Sequence, residues 1–281
     1  MKAKIIKFII IFLNNVNITT INKQIEKLDN ICPLFINNPS KRKIRHNFFS
    51  NIQTEIQAYL LGFHAADGSV NLERNTLRVK VTKKDEEIIE LFKSFISPDA
   101  YCRNVEGFAT IIREKQTTTK NASEISIASK YITEDLIKLG FGPKKTYLEL
   151  HLPKLKKELL AHFIRGYFDG DGCITGGVRK PNPKNREKNY RVVLRFDICS
   201  KQKSILSDIQ EFFIKNEINA TITYIKRDDM YRLNVSAKES LKKVFNLLYT
   251  NSNFYLQRKY DKFNYYVNTE VSQIISDHCN A

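Results

Sequence analysis

Residues 163–172 read FIRGYFDGDG, an apolar helical run that stops at an Asp-Gly step. Residues 60–68 read LLGFHAADG and have the same shape, with a glycine inside an apolar helix that ends in Asp and Gly. The two stretches therefore predict two similar helices, one in each half of the chain. Because both end in the same way, the ends of the helices are the first place to look for a function.

Small residues recur four positions apart in both helices, at Gly62 and Ala66 in the first and at Gly166 and Gly170 in the second. Residues with this spacing lie on one face of a helix, so each helix has a face with almost no side chain. The side chains at a contact set the distance between helix axes. The sequence therefore predicts that the two faces pack closely against each other.

The final acids, Asp67 and Asp171, stand at the C-terminal ends of these helices, where the helix dipole is already negative. A carboxylate there costs about 0.3 to 1 kcal/mol, and two close carboxylates favour a bound divalent cation. The alternative is that Asp-Gly only ends a helix, with Gly68 and Gly172 as left-handed caps. One copy alone would favour the cap; two copies on matching helices favour the metal site.

Both stretches resemble the LAGLIDADG motif, and the chain resembles the double-motif, single-chain LAGLIDADG homing endonucleases. The second copy retains both acids of the motif, Asp169 and Asp171, whereas the first retains only Asp67 because Ala65 replaces the earlier acid. In the family the final acid is the metal ligand, so Ala65 leaves the implied metal site intact. A second departure is His64, in place of an aliphatic residue.

The charge balance points to a polyanionic partner. Lys and Arg number 46 against 30 Asp and Glu, which gives a net charge of +16 and a pI near 9.5. Such a balance favours nucleic acid over a membrane surface. The five cysteines are scattered and contain no C-x-x-C pair, which favours reduced thiols in an intracellular protein. The apolar run in residues 1–13 is too short to span a bilayer and is followed by no cleavage site.

The pattern of elements predicts a duplicated α+β fold. The two final acids are 171 − 67 = 104 residues apart, and Lys130 and Lys238, each at the start of a closing helix, are 108 apart. Such long periods indicate domain duplication. The predicted parts are a poorly ordered N-terminal extension (1–44), a first half (45–142), a linker (143–153), a second half (154–265) and a C-terminal tail (266–281).

Each half reads αββαββα, and the resemblance implies two antiparallel sheets related by a pseudo-twofold axis that form a saddle for DNA. In residues 76–82, TLRVKVT, apolar and polar side chains alternate, so one face is core and the other is cationic. A second hairpin in this half is predicted from residues 108–113 and 123–129, with a polar connection between them. A two-stranded ribbon fits the DNA major groove.

The predicted DNA contacts lie on these strand faces and in the basic tip at residues 179–188, whose cations are expected to meet phosphates. An ordinary solvated strand or loop residue is the alternative for each of them. They are Arg78, Lys80, Lys83, Arg179, Lys180, Lys184, Arg186, Lys188, Arg191, Arg195, Asp197, Arg232 and Asn234.

The resemblance also implies the catalytic groups. Asp67 and Asp171 would each anchor Mg²⁺, for which Mn²⁺ is a possible substitute, with the main-chain carbonyls of Ala66 and Gly170. The family places a lysine at the entry to each closing helix, which Lys130 and Lys238 match, to orient water or stabilise charge. Their alternative role is that of surface lysines. A further position at the rim of each site matches Lys83 and Ser200.

These features predict a monomeric homing endonuclease that makes a double-strand break in DNA, each half cutting one strand. Two alternatives stay open: a maturase that binds intron RNA on the same fold, and a DNA-binding protein that has lost cleavage. The abundance of Asn, Ile and Lys suggests an AT-rich genome, so an organelle matrix or a virus-infected cell is a possible location.

Overall fold

The structure is a computed structural model that describes residues 18–37, 42–107, 109–112, 115–118, 120–181 and 189–279. The chain divides into two compact units. Unit 1 comprises residues 1–148 and 153–170, and unit 2 comprises residues 149–152 and 171–281. The boundary falls inside the second motif helix, between Gly170 and Asp171, so most of that helix belongs to unit 1. The predicted domain limits stay a prediction.

The N-terminal segment is more ordered than the sequence predicted. Helix α1 (Ile18–Ile31) is followed by a small hairpin of β1 (Phe35–Asn37) and β2 (Arg42–Ile44). Ile25 and Leu28 are buried, and the buried Arg45 donates to the Cys32 carbonyl at 2.8 Å and to Asp29 at 2.6 Å. These contacts explain the order of a segment without clear sequence periodicity. Residues 1–17, with the apolar run, lie outside the described residues.

The first motif helix, α2 (Glu55–Asp67), begins at a capping box. The Thr54 hydroxyl accepts a hydrogen bond from the Gln57 amide at 3.4 Å, and the Gln57 side chain accepts one from the Thr54 amide at 3.1 Å. Residues 55–65 are all buried, so the helix runs through the core of unit 1. The alternative reading of a left-handed glycine cap is wrong, because Gly68 is extended (φ −78°) and, among the described glycines, only Gly140 has a positive φ.

The sheet of unit 1 has the strand order β3-β4-β8-β5 and is antiparallel. Its strands are β3 (Gly68–Asn71), β4 (Thr76–Thr82), β5 (Cys102–Val105) and β8 (Ala122–Ala128). As predicted, Leu77, Val79 and Val81 are buried while Arg78 and Lys80 are exposed. Helix α3 (Glu87–Ile96), preceded by a 3₁₀ turn, and helix α4 (Lys130–Lys138) complete this unit's repeat.

The second hairpin of unit 1 differs from the prediction. Strand β8 pairs with β5, and not with residues 108–113. Strand β6 (Ala109–Ile112) lies within the predicted strand at residues 108–113, but it pairs with β7 (Lys115–Thr118), which lies where the sequence predicted a polar connection. A strand at residues 109–112 is compatible with either arrangement, so the local sequence could not choose its partner.

The second motif helix, α5 (Lys157–Asp171), leads directly into the sheet of unit 2. Its antiparallel strands are β9 (Gly172–Arg179), β10 (Arg191–Ser200), β11 (Thr221–Ile225) and β12 (Met230–Val235), in the order β9-β10-β12-β11. Read from the strand that follows the motif helix, this is the order of unit 1. The shared topology supports the duplication that the spacing predicted.

Helices α6 (Lys203–Lys215), α7 (Lys238–Tyr249), α8 (Gln257–Asn268) and α9 (Val271–Cys279) belong to unit 2. The predicted C-terminal tail includes α9, which contacts β9 and β10 and buries Ile274. Among the residues described, no helix combines the length and the apolar character that crossing a membrane requires. The α+β fold with two antiparallel sheets is confirmed.

Candidate functional site

The two motif helices touch through their backbones inside unit 1. A Cβ added at Gly62 would lie 1.9 Å from the Phe163 carbonyl oxygen, and one at Gly166 would lie 2.0 Å from the Tyr59 carbonyl oxygen. No side chain fits at either position without moving a helix. The predicted close packing of the small-residue faces is therefore present, and it fixes how α2 and α5 are aligned.

Polar side chains are buried at this helix contact. Arg165, fully buried, donates to Glu55 at 2.7 Å, and the Tyr59 hydroxyl donates to Asp169 at 2.8 Å. Burial, and then Asp169, raise the pKa of Tyr59 well above its usual value. Burial, and then Arg165, lower the pKa of His162 to about 4, so this histidine is neutral and accepts from Arg165. Asp169 is thus part of the helix contact.

The end of α2 holds the first predicted metal ligand. Asp67 is exposed, and the ammonium group of Lys145 donates to the carbonyls of His64, Ala65 and Ala66 at 2.6, 2.7 and 2.6 Å. These carbonyls form the negative end of the helix dipole, where a cation is stabilising. Lys145 therefore compensates the end of the helix at which Asp67 stands.

His64, the second departure from the motif, is a buried and neutral side chain. Its Nε2 donates to the Phe141 carbonyl at 3.0 Å, and burial, followed by the charge of Lys145, lowers its pKa to about 3. A Cβ on Gly68 would lie 2.0 Å from His64 Nδ1, so the histidine requires glycine there. His64 and the buried Ala65 leave the carboxylate of Asp67 exposed.

The end of α5 is divided between the units. Gly170 faces the end of α2: a Cβ on it would lie 2.4 Å from Ala66 Cβ and 3.5 Å from Asp67 Oδ2. Asp171 follows in unit 2 and is exposed. In that unit the buried Lys259 of α8 donates to the Gly172 carbonyl at 2.6 Å. In each unit, therefore, a lysine donates to one or more main-chain carbonyls of residues that are next to the predicted metal-binding aspartate in the sequence.

Lys145 and Lys259 were missed by the sequence analysis. They follow their aspartates by 145 − 67 = 78 and 259 − 171 = 88 residues, so a fixed repeat does not reveal them. Lys145 lies in the predicted linker, residues 143–153, which was given no role in the site. The available signal was the unfavourable position of two carboxylates at helix C-termini, which calls for a nearby cation.

The strand register places Lys130 away from Asp67. Strand β4 pairs Val79 with Gly68 but pairs Thr76 with both Asn71 and Ala128. Helix α4, which starts at Lys130, therefore begins near the Asn71 end of β3, about 10 Å along the strand from Gly68. The side chain of Lys130 is 72% exposed and lies 3.7 Å from Glu134.

Lys238 has the matching position in unit 2. Gly172 pairs with Ile198 of β10. Val235 of β12 pairs with Phe196, which lies two residues along β10 from Ile198, and Lys238 follows Val235 in the chain. Lys238 is therefore displaced along the sheet from Gly172. Lys238 lines a recess of about 280 Å³ with Leu194 and Glu270. The register therefore does not support a place for Lys130 or Lys238 at the rims of the acidic sites, and their catalytic role stays a prediction.

Lys83 directly follows β4 and Ser200 is the last residue of β10, so both lie at the other end of the sheets, the end at which the motif helix arrives. Thr82 lies three residues past Val79, the partner of Gly68, and Ser200 lies two residues past Ile198, the partner of Gly172. The ammonium group of Lys83 donates to Glu86 at 2.5 Å and to Asn104 at 3.1 Å. The register thus favours this pair over Lys130 and Lys238.

The open face of the unit 1 sheet is cationic and carries one buried acid. Arg78 and Lys80 of β4 and Arg103 of β5 are exposed. Glu124 of β8 is buried among them, 3.1 Å from Arg103 Nη2 and 3.6 Å from Arg78 Nε. Arg103 and Glu124 were not among the predicted site residues, although the alternation in residues 122–128 places Glu124 and Ser126 on one face.

The open face of the unit 2 sheet has the same composition. Asp197 is buried and accepts from Asn234 at 2.8 Å, with Arg195 Nε at 3.6 Å. Beyond this cluster, Arg191 and Arg179 are register partners, and Arg232 pairs with Cys199, whose hydrogen bond raises the pKa of the arginine. Arg179 and Lys180 are exposed. The predicted phosphate contacts Lys184, Arg186 and Lys188 lie outside the described residues.

The donors at the two helix ends are compatible with a hard cation. Asp67 and Asp171 offer exposed carboxylate oxygens, and the Ala66 carbonyl has a second lone pair beside the one that accepts from Lys145. Within the described residues, no group of three or more His, Cys, Asp or Glu side chains could hold a metal by itself. Mg²⁺ commonly binds one or two carboxylates together with water and substrate phosphates. Each aspartate, taken in its own unit, therefore fits such an ion when a phosphate is also present.

Residues 164–271 match the sequence profile described as LAGLIDADG endonuclease. A curated relative, the probable translation initiation factor IF-2 of Methanocaldococcus jannaschii, is 26% identical in an alignment 203 positions long that covers 67% of this chain. The chain spans only 14% of the length of that relative.

Two solved structures share the fold. The LAGLIDADG meganuclease I-AabMI bound to uncleaved DNA has a TM-score of 0.53 and 11% identity, covering 81% of this chain and 97% of that one. The LAGLIDADG meganuclease I-CpaMI bound to uncleaved DNA has a TM-score of 0.51 and 14% identity, covering 82% and 98%. The family resemblance seen in the sequence is confirmed.

Proposed function

We propose that this protein, a member of the LAGLIDADG endonuclease family, is a site-specific endonuclease that makes a double-strand break in DNA by metal-dependent hydrolysis. One observation carries the proposal. In each unit an exposed aspartate, Asp67 or Asp171, directly precedes the first strand of a four-stranded sheet whose open face bears arginines. Each unit thus joins an acidic group to a cationic surface, as cleavage of a phosphodiester requires.

Asp67 and Asp171 would hold Mg²⁺ or Mn²⁺, with the carbonyls of Ala66 and Gly170 as further oxygen donors. When bound, such an ion stabilises the negative charge that develops on the phosphoryl oxygens and lowers the pKa of a bound water. The backbone contact at Gly62 and Gly166 would fix the helices that carry these aspartates and so limit the reorganisation needed on binding. Each half would cut one strand.

Lys145 and Lys259 would position and neutralise these acidic ends. Because the Lys145 ammonium binds three carbonyls at the end of α2, it fixes the turn that carries Asp67. Lys259 binds the carbonyl of Gly172, next to Asp171. A positive charge fixed at this place would also favour the approach of a phosphate and stabilise the dianionic transition state.

The open faces of the sheets would bind the DNA. The meganucleases I-AabMI and I-CpaMI, which share the fold, are bound to uncleaved DNA. In this chain the net charge of +16 and the exposed Arg78, Lys80 and Arg191 supply the positive surface that such a partner requires. Arginine and asparagine side chains on strands can read base edges in the major groove.

The two alternatives are less well supported. A DNA-binding protein that has lost cleavage was suggested by His64 and Ala65, but both are buried and leave Asp67 exposed at the end of its helix. A maturase would use the same cationic faces for intron RNA, and no residue of the described faces favours RNA over DNA. Retention of both final acids favours the nuclease.

The proposal is tested by selection and cleavage. The purified chain is first used to enrich a target from duplexes with a randomised segment, and the target is then incubated with protein and Mg²⁺. We expect a double-strand break that chelation by EDTA abolishes. Asp67→Asn and Asp171→Asn should each leave binding within about threefold of wild type and nick only one strand, and not the same strand. The double variant should not cut.

Undiminished double-strand cutting by Asp171→Asn would remove this residue from the mechanism. If the chain binds a target but does not cleave it in Mg²⁺ or Mn²⁺, the alternative of a DNA-binding protein that has lost cleavage would be supported. Preference for a structured intron RNA over every duplex would support the maturase.

A further inference from the structure

Glu124 is an acid on a surface that is otherwise built for a polyanion. Strand β8 lies between β4 and β5, and Glu124 is the register partner of Lys80 on one side and of Arg103 on the other. Only 7% of Glu124 is exposed. A carboxylate at the centre of a DNA-binding face repels phosphates, so its presence there needs an explanation other than general affinity.

Two arginines share this carboxylate. Arg103 Nη2 donates to Glu124 Oε1 at 3.1 Å, and Arg78 Nε lies 3.6 Å from the same oxygen. The arginines remain about half exposed, 57% and 46%, whereas the glutamate side chain is 9% exposed. Tyr101 and Ser126 complete a recess of about 190 Å³ with these three residues. The carboxylate is therefore an anchor beneath two guanidinium groups.

The anchor leaves most of each guanidinium available. A guanidinium has five N–H donors in a planar fork, and the contacts with Glu124 involve one nitrogen of each arginine. Long side chains lose conformational freedom when they bind, so fixing them beforehand lowers that cost. A fixed fork matches the O6 and N7 acceptors of guanine, whereas a mobile one contacts any phosphate within reach.

Unit 2 repeats the arrangement with other residues. Asp197 is the buried acid of that face, Asn234 donates to it at 2.8 Å, and Arg195 lies 3.6 Å away. Asp197 and Asn234 are register partners on neighbouring strands, as Glu124 and Arg103 are. The recurrence shows that a buried acid in contact with an arginine on the open face is not confined to one sheet.

We propose that Glu124 is a positioning residue that holds Arg78 and Arg103 for reading guanine in the major groove and thereby sets the sequence specificity of unit 1. This inference rests on the proposed function. Glu124 itself need not touch DNA. It lowers the affinity for DNA of any sequence because its charge weakens phosphate binding. It raises the preference for guanine because its contacts order the two arginines.

The test compares DNA preferences of full-length variants. Wild type, Glu124→Gln, Arg103→Ala and Glu106→Gln are each used to select from the same randomised duplex pool. Glu106 is an exposed acid just after β5, so its variant carries the same change of charge without altering the anchor. We expect wild type and Glu106→Gln to select one motif. Glu124→Gln should lose about tenfold in preference at guanines within it, at the positions that Arg103→Ala also loses.

Affinity for an unselected duplex should rise severalfold in both Glu→Gln variants, because both remove a negative charge. A motif that Glu124→Gln leaves unchanged would overturn the inference alone, since the wild-type motif would still support the proposed function. Loss spread evenly over all positions would overturn it too, because general destabilisation would explain that result. A wild-type chain that selects no motif would reject the proposed function, and the inference with it.

A measurement without DNA separates positioning from binding. The Nε–Hε signals of arginine report side-chain order by NMR relaxation. In the free protein, Arg103 and Arg78 should be more ordered in wild type than in Glu124→Gln, and Glu106→Gln should match wild type. Equal order in Glu124→Gln and wild type would overturn the anchoring role whatever the DNA result.

Discussion

The two motif helices share a backbone contact but not the side chains around it. Gly62 and Gly166 occupy corresponding positions, and each faces a carbonyl of the other helix, that of Phe163 or that of Tyr59. With the offset of 104 residues, Tyr59 corresponds to Phe163 and Ala65 to Asp169. One side of the contact therefore has the buried Tyr59–Asp169 hydrogen bond, whereas its counterpart consists of two apolar residues.

Some features of this duplicated helix pair are therefore fixed, and others have changed. The close approach depends on glycine in both copies, whereas the flanking positions have diverged into complementary partners. Glu55 of α2 accepts a hydrogen bond from Arg165 of α5. At the corresponding positions, α5 has Leu159 in place of Glu55, and α2 has Leu61 in place of Arg165. Two copies of α5 from different chains would bury Asp169 against Phe163, which costs free energy because a buried carboxylate would lose its donor. We therefore expect the pair to form within one chain, as a monomer requires.

Loss of the backbone contact between the two motif helices should have the largest effect. Gly166→Ala would place a Cβ 2.0 Å from the Tyr59 carbonyl oxygen, so the helices must separate. We expect a loss of about 3 kcal/mol or more in the free energy of unfolding, measured by urea denaturation. Gly177→Ala is the matched control, since a Cβ there meets nothing within 4 Å. Equal stability of the two variants would contradict the backbone contact.

The glycine faces were predictable because their spacing is a local property of a helix. Strand β4 was likewise predicted at its observed limits, Thr76–Thr82, from the alternation of its side chains. The partner of β8 was not predictable, because β5 and β6 are both only four residues long and the choice between them depends on tertiary packing. The N-terminal helix α1 was missed because its order comes from contacts with later parts of unit 1, among them the hydrogen bond from Gln24 to Glu55.

The candidate site shows the same division. Both aspartates at helix ends followed from the motif, but the lysines beside them did not. Lys145 acts through an ammonium group that reaches main-chain carbonyls about eighty residues earlier in the chain, and no sequence pattern encodes such a contact. The expected lysines were assigned by their place at the start of a closing helix, whereas the strand register puts that place at the far end of the sheet.

The next largest effect is expected on the rate of cleavage, to which Lys145 and Lys130 should contribute differently. Lys145→Met removes the cation from the end of α2, so we expect the rate of cleavage at saturating DNA to fall about 100-fold, on the order of the loss of one transition-state hydrogen-bond donor. Lys130→Met, which removes an exposed charge at the start of α4, should change that rate by less than about threefold. Single-turnover cleavage of the selected target measures both.

Affinity for the uncleaved target is measured in the presence of Ca²⁺ to separate binding from the chemical step. If Lys130→Met loses more cleavage than Lys145→Met, the lysine at the start of the closing helix is the functional one, and the assignment based on the register is wrong. Lys259→Met should match Lys145→Met, with the loss confined to the opposite strand.

The smallest effect concerns the part of the helix contact that differs between the copies. Tyr59→Phe removes the donor to Asp169 and should lower the free energy of unfolding by about 1 to 2 kcal/mol. Asp169→Ala gives the second motif the residue that the first has at Ala65, and in that background Tyr59→Phe should cost almost nothing. Tyr131→Phe, at an exposed tyrosine of α4, is the control and should stay within about 0.5 kcal/mol of wild type. Additive effects of Tyr59→Phe and Asp169→Ala in the double variant would show that the two groups stabilise the helix pair independently. In that case their hydrogen bond would not be what distinguishes this pairing from one between identical helices.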